Sequence, residues 1–248
     1  MNRILSILFF VFCSVVCFAS ADINPVWQKA NNFYQQKQYD SAIVYYQQLA
    51  ASQPTNAPLY YNLGNAFYRS NKVGAAVLNF ERALRIDPDY SAAADNLTLT
   101  QSRIANKITP IPEIFFVSWW KNFTGATHAN ATAMISLLLF IVLIGILLLN
   151  RFQKPQWLRG QMIGGLAVIW LCSLIISIQS AVNAHSRDAA VVMQSDAPMM
   201  TSNQQTKTQS LIPEGTTVKI VSVKSGWIEV QLPDGRTGWL VETALERI

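Results

Sequence analysis

The chain has 248 residues, of which 51% are hydrophobic and only 13% charged, and its mean hydropathy is +0.21. Globular domains carry roughly twice that charged share, about 25%. The composition therefore excludes a disordered chain and calls for apolar runs concentrated in membrane segments. The formal charge of +5 is scattered along the chain rather than gathered on one face, which speaks against nucleic acid as a partner.

Residues 1–21 read as a cleavable export signal. Arg3 precedes an apolar stretch from Ile4 to Phe18, and Ala19-Ser20-Ala21 fits the small-x-small cleavage pattern. An uncleaved anchor is the alternative, but the run is short for a span. The three cysteines, Cys13, Cys17 and Cys172, all lie in apolar segments, so an exported domain has none with which to form a disulfide. His128 and His185 are too far apart in sequence to suggest a metal site.

Residues 22–107 match themselves at a lag of 34. Ala30 falls on Gly64, Phe33 on Phe67, Tyr34 on Tyr68, Ala42 on Ala76, Tyr46 on Phe80 and Pro54 on Pro88. Small residues suit a close helix crossing, aromatics fill the space around it, and the prolines end the second helix of each pair. This pattern resembles the tetratricopeptide (TPR) repeat. The second copy fits more closely than the first, where Lys29 stands in place of the usual Leu. Helical hairpins of this kind cannot bury their own faces and need a cap. Residues 91–103 continue the helical pattern as a solvating helix, with Ala94 and Leu97 at its packing positions.

By that resemblance, the first helix of each hairpin lines a concave groove. It carries Trp27, Asn31, Tyr34, Tyr61, Asn65, Tyr68 and Arg69. Aromatic rings supply contact area and Asn pairs with peptide groups, so the implied ligand is a protein segment. Asn31 and Asn65 match the Asn of TPR carboxylate clamps, but Trp27 and Tyr61 replace its Lys. The alternative is that several of these aromatics pack against the capping helix or the membrane.

Residues 108–130 are a juxtamembrane segment in which Pro110 and Pro112 break the preceding helix. At helical spacing Phe116, Trp119, Trp120 and Phe123 share one face, as expected of a short helix lying in the bilayer interface. A docking surface for a membrane partner is the other reading. Residues 131–149 form a first span, about 28 Å as a helix. The 13 Leu, Ile, Val and Phe residues in Met134 to Leu149 favour insertion by about 4–8 kcal/mol. Residues 162–182 form a second span, with Ser173, Ser177 and Ala181 at four-residue spacing and Gly160 and Gly164 in a GxxxG; these are either a stripe for close helix approach or small residues scattered in a span. Between the spans, residues 150–161 carry Arg151, Lys154 and Arg159 and no acid, which predicts a cytoplasmic loop. Both flanking regions are then extracytoplasmic, in agreement with the export signal.

Residues 187–248 switch to short strands: Ala189 to Met193, Val218 to Val223, Trp227 to Leu232 and Thr237 to Val241, with Pro233-Asp234-Gly235 as a turn. Such a pattern suggests a small barrel. Ile212-Pro213-Glu214-Gly215, Gly226-Trp227 and Gly238-Trp239-Leu240 before Ala244-Leu245 resemble bacterial SH3-like (SH3b) domains. Met199-Met200-Thr201-Ser202 stands where that family's first turn carries Arg-Ser. The resemblance makes Trp227 and Trp239 either ligand platforms, for peptidoglycan among others, or core residues.

The fold class is thus a multi-domain membrane protein: all-α TPR hairpins, two transmembrane helices and a small all-β SH3-like barrel. The order of segments resembles the BatE-type membrane proteins of the Bacteroides aerotolerance operon. That resemblance implies the inner membrane of a Gram-negative bacterium, with both folded ends in the periplasm. It also implies von Willebrand A domain membrane proteins as partners and a non-enzymatic scaffold serving aerotolerance or envelope stress. Peptidoglycan binding through the barrel is the alternative. The chain has no metal-ligand cluster, nucleophile elbow or phosphate loop, so no cofactor and no catalysis are expected.

Overall fold

The computed structural model describes residues 25–112, 114–125, 129–152, 160–185, 188–202 and 208–248. The export signal expected at residues 1–21, and Lys154 and Arg159 of the basic connection, lie outside the described residues.

The N-terminal unit consists of helices α1 (Pro25–Gln35), α2 (Tyr39–Ser52), α3 (Ala57–Arg69), α4 (Val73–Ile86) and α5 (Ser91–Gln101). The 34-residue period returns in the backbone. Lys37 and Asn71, one period apart, both take left-handed φ, 60° and 59°. Each closes its helix in the same way. Lys37 N–H donates to Tyr34 O and Gln38 N–H to Phe33 O; Asn71 N–H donates to Tyr68 O and Lys72 N–H to Phe67 O, all at 2.9–3.2 Å. Asn56 caps α3, its Oδ1 accepting from Leu59 N–H at 2.9 Å, with Pro58 in the first turn.

The core of this unit joins Ala30, Ala42, Tyr46, Leu49, Leu59, Leu63, Ala76 and Phe80, all buried. Gly64 allows the close crossing of α3 over α4: a Cβ there would come within 2.7 Å of Phe80 Cε1. Lys29, the departure from the repeat pattern, lays its ammonium over the Tyr45 ring at 4.6 Å. On α5 the packing register is one residue off the expectation. Ala93 is buried and Ala94 exposed, while Leu97 does pack on the core.

Two helices, α7 (Ala129–Phe152) and α8 (Gly160–His185), follow a short helix α6 (Phe115–Phe123). Within α7 and α8, Ala129–Phe152 and Met162–Asn183 are long and apolar enough to cross a membrane, with mean hydropathies of 3.0 and 2.1. Only 11% and 6% of those segments are buried inside the molecule, unlike the core helices of a water-soluble domain. They pack against each other, with the Phe140 and Trp170 rings 5.1 Å apart. Gly164 makes no close approach to a neighbour: a Cβ there meets nothing within 4 Å.

The C-terminal unit is one antiparallel sheet of seven strands: β1 (Ala189–Val192), β2 (Ala197–Met200), β3 (Thr208–Ile212), β4 (Thr217–Lys224), β5 (Trp227–Gln231), β6 (Thr237–Val241) and β7 (Leu245–Arg247). The order is β3-β2-β6-β5-β4-β1-β7, and strands from β1 to β6 line a single buried core. Sequence patterning missed β2, β3 and β7. Met199 and Met200, expected in a turn, belong to β2, where Met199 is buried in the core. Pro198 masks the strand signal there. Chain passage at β6 needs a glycine, because a Cβ on Gly238 would lie 2.6 Å from Met199 Cγ and 3.0 Å from Met200 O.

Helical and β units dock through α4. Val77, Leu78 and Val191 form a buried cluster between them, flanked by Ile104, Met193 and Ile248. Glu214 Oε1 accepts from Gly74 N–H at 2.9 Å, placing a carboxylate at the positive end of α4. A side chain at 74 would collide with it: a Cβ there lies 2.6 Å from Glu214 Cγ. Arg82 bridges to Glu246 at 2.9 Å and donates to Arg247 O at 3.0 Å, and Arg85 donates to Ile248 O.

Glu81 also faces this interface, accepting from the Thr217 hydroxyl at 3.2 Å. Burial pushes its carboxyl above the ordinary glutamate value, with the Thr217 bond pulling the other way. A raised value in the folded state means that this group's contribution is present below the ordinary glutamate range. It is lost as pH rises through the raised value. Glu81→Gln is expected to raise Tm more at pH 7.5 than at pH 5, as read by scanning calorimetry. An equal gain at both pH values would contradict this assignment.

Candidate functional site

The first helices of the hairpins, together with α5, border a cleft of about 220 Å³. It is lined by Tyr34, Tyr61, Asn65, Tyr68, Arg69, Asn96, Leu99 and Thr100. Five of the seven groove residues read from the sequence therefore converge. Trp27 and Asn31 do not line this cleft. They are turned to the packing between α1 and α2: Tyr46 Oη donates to Asn31 Oδ1 at 2.6 Å, and the Trp27 and Tyr46 rings meet edge-on at 6.2 Å. Burial, then Tyr34, pushes the Tyr46 hydroxyl up to about 12, so it keeps the proton it donates.

The capping helix contributes more than solubility. Asn96 Nδ2 donates to Asn65 Oδ1 at 2.7 Å and to Tyr61 Oη at 3.3 Å. Tyr61 also packs on Phe80 and Tyr90, with centroids at 6.1 and 5.1 Å. Asn65 and Tyr61 are thus held in place by contacts within the helical unit. Asn96, Leu99 and Thr100 were missed as groove residues. Extending the lag by one more period puts Leu99 on Asn65 and Arg103 on Arg69, a signal the sequence contains.

Arg103 stands over the Tyr68 ring at 3.9 Å. The Tyr34 hydroxyl beside it raises the Arg69 guanidinium further above neutrality, so its charge persists at any working pH. Among the described residues no carboxylate lines the cleft. Its chemistry is one guanidinium, Arg69, among phenols and amides, suited to carboxylate and peptide carbonyl oxygens on a partner.

The remaining predicted positions fall elsewhere. Phe116, Trp119, Trp120 and Phe123 on α6 are all exposed, with Phe116–Trp119 and Trp119–Phe123 ring contacts at 5.8 and 5.6 Å. The residue after α6, Thr124, is tied to α8, its carbonyl accepting from Asn183 Nδ2 at 2.9 Å. Trp227 and Trp239 are half-buried on the outer face of the sheet, outside the core cluster. Trp227 pairs with Val241 and Glu229 with Trp239, so the two indoles are diagonal neighbours on that face.

Comparison with known proteins bears on the helical unit. Residues 30–71 match the family described as TPR repeat, and residues 57–90 match the tetratricopeptide repeat. The chain is similar to serine/threonine-protein phosphatase 5 of Homo sapiens and of Rattus norvegicus, 33% identical to each over 82 residues. That likeness is confined to the repeat region, covering 31% of this chain and 16% of either phosphatase. Residues 30–90 are therefore tetratricopeptide repeats, a module of protein–protein interaction.

Proposed function

We propose that the protein is a non-enzymatic inner-membrane scaffold whose TPR cleft holds a segment of a partner protein on the periplasmic side. The observation that carries this reading is the convergence of Tyr34, Tyr61, Asn65, Tyr68 and Arg69 on one cleft. The occupant is an extended segment that carries a carboxylate for Arg69. Two apolar helices joined by residues 153–159 return the chain to the side it left. The buried contact of α4 with β1 supports placing both folded units on that same side. A basic connection inside the cell supports a periplasmic assignment for both. The exposed rings of α6 then lie in the outer interface. The overall order supports the BatE-type resemblance, with von Willebrand A domain membrane proteins as partners in aerotolerance or envelope stress.

Co-purification from native membranes tests the cleft. Tyr68→Ala with Arg69→Glu is expected to reduce the captured partner at least tenfold while leaving the circular dichroism spectrum unchanged. Undiminished capture would remove the cleft from the account.

A second reading is favoured by the outward-facing Trp227 and Trp239: the β unit, read as SH3-like, grips peptidoglycan. On that reading the full chain in detergent sediments with purified sacculi, and Trp227→Ala with Trp239→Ala abolishes sedimentation. No sedimentation of the parent chain would exclude it.

A further inference from the structure

The two repeats differ at one internal position in a way that leaves a cavity. In the first, Tyr45 on α2 stacks on Phe33 of α1, with centroids 5.3 Å apart and planes at 10°. One period later Phe33 becomes Phe67, but Tyr45 becomes Asn79. Where the first repeat holds a second ring, the second holds an amide. Beside it lies a cavity of about 540 Å³, within the range of ligand clefts, about 300–1,000 Å³. Phe67, Tyr60 and Leu78 form part of its wall, and Met193 and Glu246 of the β unit close it from the other side. It faces away from the groove described above, at the junction of the two units.

Asn79 is 3% exposed and lines this cavity. Its Nδ2 donates to Ala75 O at 2.7 Å, which fixes the amide orientation. Its Oδ1 is buried with no hydrogen-bond partner. A buried acceptor left without a donor is a cost that folded proteins rarely keep without a use. The site thus lacks two things at once: a flat ring against Phe67, and a hydrogen-bond donor near Asn79 Oδ1. Arg82 and Glu246 in the wall already pair with each other, so the cavity presents no net charge for a ligand to neutralise.

We infer that this cavity is a second docking site, and that it receives a tyrosine or tryptophan side chain of a partner protein. The incoming ring replaces the one that Tyr45 supplies in the first repeat, and its O–H or N–H donates to Asn79 Oδ1 as the amide turns toward the cavity it lines. The site is independent of the TPR cleft and gives the assembly a contact on the opposite side of the helical unit.

The test uses the full chain in lipid nanodiscs with p-cresol and toluene, the side-chain analogues of Tyr and Phe, followed by saturation-transfer NMR. p-Cresol is expected to bind at least tenfold more tightly than toluene. Asn79→Tyr, which restores the ring of the first repeat, is expected to raise Tm and to abolish the p-cresol signal. Equal p-cresol signals from parent and Asn79→Tyr, or none from the parent, would overturn the proposal. If Asn79→Tyr does not fold, Asn79→Leu decides. That variant keeps the apolar shelf and removes the acceptor, so it should bind the two probes equally; a retained preference for p-cresol would also overturn the proposal.

Discussion

Val191→Asp is expected to separate the helical unit from the β unit. Val191 is fully buried against Val77 and Leu78, at a junction held by chain segments more than a hundred residues apart. The side chains packed on it there are apolar: Val77, Leu78, Leu97, Ile104, Met193 and Ile248 make up the rest of the cluster. An aspartate there is a buried charge without a partner, a loss on the order of 3–5 kcal/mol. The contacts around it are then forfeited together, because the Glu214–Gly74, Thr217–Glu81 and Glu246–Arg82 bonds all cross the same surface. Limited proteolysis in detergent should show new cleavage between residues 186 and 217 while the helical unit stays intact. Lys224→Asp, an exposed change on the same sheet, serves as control and should leave the pattern unaltered.

Phe80→Ala is expected to destabilise the helical unit by about 3–5 kcal/mol, the usual range for emptying a fully buried aromatic site. Phe80 has no exposed surface and fills the space opened by Gly64. The same geometry makes Gly64→Ala costly in the parent, about 1–3 kcal/mol, because its methyl meets the ring. Together the two changes should cost less than their sum, since the methyl then enters vacated space. Urea unfolding of the four proteins measures the coupling. Additive losses would mean that the ring and the glycine do not share the crossing.

The parts legible in the sequence are those written as periods. The lag of 34 predicted two hairpins, and it extends to the left-handed residues Lys37 and Asn71, which no hydrophobicity argument selects. The two apolar runs were readable because a span requires uninterrupted apolar residues. Five of the residues expected in a groove line one cleft because a repeat returns the same helix face to the same surface. The β unit was half readable: β4, β5 and β6 alternate, while β2 is broken by Pro198 and joins β6 through a single residue pair, Met200 and Trp239. Docking of the two units was not legible. It depends on Gly74 and Glu214, 140 residues apart, whose fit is a matter of shape and charge rather than of spacing. Nor was the turning of Trp27 and Asn31 toward Tyr46, because periodicity gives the face of a helix but not the partner across it.

Labelling of two single cysteines with a membrane-impermeant maleimide tests the central arrangement most directly. In a chain whose native cysteines are replaced, one probe sits at Gln36 in the helical unit and the other at Lys224 in the β unit, both exposed positions. The proposed topology places both units on the outer side, so in intact bacterial spheroplasts both probes should react fully before lysis. If either position is protected until the cells are lysed, the two units do not share the outer side and the arrangement is wrong.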